Sequence, residues 1–159
     1  MRAPVGLATT LALTLGGGYV ETPSAQVMII PFGAPGDLPV VGNWTGDLTT
    51  YIGVYRPSTN TFFLTNNNFN PVAIVTRFGA PGDVPVIQHF FAGQPSLIGV
   101  YRPSTSTSFL RNFDSTITVI PFGAPNDIPL IGDWTGDGTP KVGVYRPSAN
   151  TFYLKTTFP

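Results

Sequence analysis

Phe32-Gly-Ala-Pro-Gly-Asp37, followed after fifteen intervening residues by Gly53-Val-Tyr-Arg-Pro-Ser58, is the stretch on which the fold turns, because it occurs three times. It returns as Phe78-Gly-Ala-Pro-Gly-Asp83 with Gly99-Val-Tyr-Arg-Pro-Ser104, and as Phe122-Gly-Ala-Pro-Asn-Asp127 with Gly143-Val-Tyr-Arg-Pro-Ser148. The tyrosines stand at 55, 101 and 145, so the spacing is 46 and then 44 residues. That spacing suits one small β unit per repeat. Each unit of such an array needs a neighbour to bury its apolar face, so the array supplies surface rather than one reaction centre.

Working outward, each repeat reads as four strands. In the first they run over 38–44, 51–56, 61–64 and 72–76, separated by Pro-Gly-Asp, Thr-Gly-Asp, Pro-Ser-Thr-Asn and Asn-rich turns. Glycine supplies positive φ, proline presets φ, and Asp or Asn caps its own backbone. Seventeen prolines, eighteen glycines and 13% aromatics in 159 residues fit many short strands and leave no window for a long amphipathic helix. The fold class expected is all-β: three tandem four-stranded antiparallel units, blade-like, over about 32–77, 78–121 and 122–159.

The array is offset by one strand. Val72-Ala-Ile-Val-Thr76 and Ile117-Thr-Val-Ile120 are fourth strands, and a copy, Val27-Met28-Ile29-Ile30 followed by Pro31, precedes the first repeat. The third repeat stops at Pro159 after its third strand. Residues 26–31 thus read as a spare fourth strand, able to complete the third unit of its own chain or of another. The second route is head-to-tail strand addition, which gives a ring or a filament. Residues 1–25 read either as a secretion signal or as a strand in which Leu7, Leu11, Leu13 and Leu15 share one face, and the strand is the reading adopted. No run reaches the roughly 20 apolar residues of a membrane helix.

Eight basic and eight acidic residues cancel, and only 10% of residues are charged, so no field attracts nucleic acid or an anionic membrane. Cysteine is absent, which excludes a thiolate metal centre, and His89, the only histidine, and Glu21, the only glutamate, sit in no cluster of Ser, Asp or further His that could make a triad or a metal centre, so no catalytic residue is expected. The notable charges are repeated ones. Asp37, Asp83 and Asp127 each precede Arg56, Arg102 and Arg146 by 19 residues. Three equal copies point to structural ion pairs, with a row of arginines gripping an anionic glycan as the functional alternative. Trp44, Trp134 and Phe90 occupy equivalent places and read as core aromatics, or as a sugar platform. Asn43-Trp44-Thr45 has the form of a glycosylation sequon, making Asn43 a possible glycan site.

Gly132-Asp-Trp-Thr-Gly-Asp-Gly138 followed by Val142-Gly-Val-Tyr-Arg-Pro-Ser148 resembles the FG-GAP/VCBS-type repeats of bacterial surface and secreted proteins, and the likeness spans residues 26–159. The resemblance implies propeller-blade-like sheets and an extracellular or surface location. It also implies calcium in the Asp-rich loop, here at Asp133 and Asp137, although Lys141 stands where a further acid is often found and the same aspartates read more simply as turn caps. The expected function is a self-assembling structural subunit, a head-to-tail homopolymer without a cofactor. The alternative is a propeller-like module binding carbohydrate or another cell-surface ligand.

Overall fold

The computed structural model describes residues 27–68, 74–90 and 93–159. The expected strand over 1–25, with Leu11, Leu13 and Leu15, lies outside the described residues, as do Val72 and Ala73 of the first fourth strand.

The protein is all-β, in three antiparallel sheets. The first contains β1 (Leu38–Gly42), β2 (Tyr51–Arg56), β3 (Thr61–Leu64) and β4 (Ile74–Arg77), hydrogen-bonded in that order. The second contains β5 (Val84–Gln88), β6 (Leu97–Arg102), β7 (Thr107–Arg111) and β8 (Ile117–Pro121). Among the described residues the third has three strands: β9 (Ile128–Gly132), β10 (Lys141–Arg146) and β11 (Thr151–Leu154). Sequential antiparallel neighbours follow from tight turns, because a short connection cannot span a parallel crossover. No helix among the described residues is long and apolar enough to cross a membrane.

Each unit repeats the same local solutions. Asp37 closes its turn by accepting a hydrogen bond from Ala34 N at 2.9 Å, and Asp83 and Asp127 do the same with Ala80 and Ala124. The hairpin after the Arg-Pro-Ser motif ends on Asn60, Ser106 or Asn150 with φ near 50°, a left-handed position that a short polar residue tolerates. The glycine of the Gly-Val-Tyr-Arg motif is required by its cross-strand leucine. A Cβ at Gly53 would meet Leu64 at 2.6 Å, and Gly99 and Gly143 face Leu110 and Leu154 in the same way. The first strand ends at Gly42, two residues earlier than the pattern suggested, since the Trp44 ring folds back over that glycine.

The core lies between sheets. Tyr55, Phe62, Leu64 and Trp44 of the first unit pack with Ile98 and Val100 of the second, and Ile87 and Phe109 lean on that cluster. Val86, Tyr101, Leu110 and Ile120 of the second unit pack with Val142 of the third, flanked by Phe122 and Ile131. The first strands of the units, β1, β5 and β9, run side by side through the array. Val27 to Ile30 belongs to no strand, and Val27 and Ile29 are 79% and 85% exposed.

Candidate functional site

Three identical charged clasps hold the units. Arg56 donates from Nε to Asp37 Oδ1 at 2.8 Å and from Nη2 to Asp37 Oδ2 at 2.9 Å, a two-pronged fork. Arg102 grips Asp83 and Arg146 grips Asp127 with the same atoms at 2.9 to 3.0 Å. The arginine spacing reading is therefore met at all three places. The bond from arginine holds the carboxyls of Asp37 and Asp127 below the usual carboxylate range, against the opposing effect of burial. The reciprocal bond raises the three guanidiniums further. Sequence reasoning missed the lid. Each guanidinium lies over an aromatic ring seven residues on, Phe63, Phe109 or Tyr153, at 4.4 to 4.5 Å from its centroid. With the fork engaged and one face stacked, these arginines are poorly placed to grip an external anion.

The Asp-rich loop of the third unit is filled from within. Asp133 Oδ1 accepts from the backbone N–H of Thr135, Gly136 and Asp137, and Oδ2 from Gly138 N at 2.7 Å. These bonds, led by that of Gly138, lower its pKa. Lys141, almost wholly buried, points its ammonium into the loop and donates to Asp137 Oδ1 at 2.6 Å, Thr135 Oγ1 at 2.8 Å and the Thr139 carbonyl at 3.0 Å. Its bond pulls Asp137 down to about 2. Lys141 is the residue that sequence reasoning read only as a missing acid. In the first unit the same place is held by Tyr51, whose hydroxyl donates to Asp47 Oδ2. No cluster of three or more His, Cys, Asp or Glu with metal-site geometry occurs among the described residues. What calcium would take at Asp133 and Asp137 is thus shared among backbone N–H groups and a lysine.

The remaining candidates separate. Asn43 Oδ1 caps its loop through Gly46 N at 2.7 Å and Asp47 N at 3.2 Å. Trp44 is buried in the first cluster and the Trp134 ring covers Gly132, so the two do not form one platform. Phe90 pairs instead with Phe113, ring centroids 5.0 Å apart. His89 is exposed and meets the Ser96 hydroxyl at 3.3 Å.

The two ends of the array form the other candidate site. Phe62 and Leu64 on β3 are 0% and 3% exposed, whereas their counterparts Phe152 and Leu154 on β11 are 62% and 39% exposed. At the opposite end Val41, the counterpart of the packed Ile87 and Ile131, is exposed. No protein-family model, curated protein or solved structure matches this chain.

Proposed function

We propose that the protein is a structural subunit, secreted or displayed at a bacterial surface, that associates with itself head to tail and builds a homopolymer. The observation that carries this reading is the contrast along equivalent strands: β3 and β7 are covered by a fourth strand and a following unit, and β11 presents Phe152, Tyr153 and Leu154 to solvent. An unpaired strand edge with apolar side chains is a template for another chain. The apolar segment Val27 to Ile30, free of any sheet, supplies a strand to meet it. The side-by-side course of β1, β5 and β9 supports a blade-like stacking in which a further unit continues the row. The clasps and the lysine-filled loop, being internal, support a scaffold rather than a catalyst or a calcium-dependent binder.

Sedimentation velocity over a wide concentration range, together with negative-stain microscopy, tests the reading. The expected result is a concentration-dependent series of head-to-tail species, lost on deletion of residues 1–30. A chain that stays monomeric at every concentration overturns it.

A further inference from the structure

Between units one and two, and again between two and three, the same three contacts recur. A tyrosine enters a glycine socket: a Cβ at Gly79 would stand 2.9 Å from the Tyr55 hydroxyl, and a Cβ at Gly123 would stand 2.9 Å from that of Tyr101. Glycine suits both places, because each has φ beyond +100° as well as a tyrosine hydroxyl and a valine methyl against it. A backbone bond follows, from Phe78 N to the Asn60 carbonyl and from Phe122 N to the Ser106 carbonyl, each 2.9 Å. The fourth strand then keeps a fixed register on the third, with Phe62 opposite Thr76 and Ser108 opposite Ile120.

Among the described residues, one half of each contact is left over at each end of the array. Tyr145, counterpart of Tyr55 and Tyr101, stands against no glycine among the described residues. Gly33, counterpart of Gly79 and Gly123 at φ +94°, has Val54 and Asp37 as its nearest neighbours and no tyrosine among the described residues. Asn150 is the counterpart of Asn60, and Phe32 of Phe78. Val41 presents at the front what Ile87 and Ile131 bury inside.

We infer that a second copy of this chain docks on the third sheet in the register of the internal joints: its residues 27–31 lie antiparallel on β11 with Ile30 opposite Phe152, its Phe32 N–H bonds to the Asn150 carbonyl, and its Gly33 receives Tyr145. The inference rests on the self-association proposed above and assigns its interface. Docking so placed covers Phe152 and Leu154 as Phe62 and Leu64 are covered, and buries Val41. The joint is heterologous, front to back, so every copy keeps one free front and one free back until a ring closes.

The chain has no cysteine, so two introduced thiols read the register directly. Protein carrying Phe152→Cys is mixed with protein carrying Ile30→Cys, or with protein carrying Ile29→Cys, under mild oxidation. Residues directly opposite on antiparallel strands are close enough for a disulfide, whereas a one-residue slip turns the side chain to the other face. The expected result is cross-linking of the Ile30→Cys pair about tenfold faster than the Ile29→Cys pair, consistent with that geometric selectivity. In the same experiment Phe152→Glu and Val41→Glu, both at exposed positions and each checked for an unchanged circular dichroism spectrum, are each monomeric alone and form a 1:1 dimer when mixed. Equal cross-linking of the two pairs, or wild-type assembly by either glutamate variant, overturns the docking while self-association stands. A wild-type chain that sediments as a monomer throughout overturns both.

Discussion

The ammonium of Lys141 stands 2.6 Å from Asp137 Oδ1 although the lysine side chain is 2% exposed. A buried cation needs a full set of acceptors, and this one has a carboxylate, a hydroxyl and a carbonyl. The Asp-rich loop therefore contains its positive charge covalently, on the first residue of β10.

Lys141→Met removes that charge and leaves the loop's acceptors facing one another. The expected outcome is a melting temperature lower than that of the parent, with the third unit the first to lose protection in hydrogen exchange. Added calcium should leave the parent's melting temperature unchanged. A parent that melts markedly higher with calcium contradicts the lysine-filled loop.

Phe62→Ala and Phe152→Ala make the same chemical change at equivalent positions. In the monomer, Phe62→Ala should cost about 3–5 kcal/mol, because a fully buried ring leaves a cavity. Phe152→Ala should cost less than about 0.5 kcal/mol, as at other exposed positions. Denaturant unfolding at low protein concentration measures both.

Arg102→Lys separates a fork from a charge. Lysine keeps the charge but cannot bond both oxygens of Asp83 in one plane or stack on Phe109. Arg102→Lys should recover only a small part of the melting temperature lost in Arg102→Ala, and full recovery would show that charge alone matters.

Acid should destabilise the protein in a defined window. Asp37, Asp127 and Asp137 have lowered folded-state pKa values, from hydrogen bonds of Arg56, Arg146 and Lys141 respectively. A depressed carboxyl contributes stability that is complete above its ordinary value of 3.8 and is lost as the pH falls through its folded value, about 2 for Asp137. Melting temperature should stay level from about pH 7 to pH 5 and fall steeply below about pH 4. In Lys141→Met the fall should be shallower.

What was legible in the sequence is what lies within one unit. The 19-residue spacing of Asp37 and Arg56 recurs three times, and a constant covalent spacing between fixed turns keeps a constant geometry, so the clasp could be read. The aromatic lid could also have been found: Arg56 pairs with Thr61 across the hairpin, which places Phe63 on the same face one diagonal step away. Lys141 was read as the loss of an acid, because a pattern of ligands has no place for an internal cation. The tyrosine sockets were not legible, since Tyr55 and Gly79 belong to different units and only the stacking of sheets brings them together.

The three-stranded sheet at the end of the array also decides what kind of quantity the protein's stability is. Among the described residues β11 has no strand paired on its outer edge, so the monomer should open from that end first, with a gradient of local free energy rather than a single value. Whatever occupies that edge binds the folded form alone and raises stability by mass action. With a second copy as the occupant, melting temperature becomes a function of protein concentration, and resistance to heat or proteolysis is a property of the population rather than of the molecule.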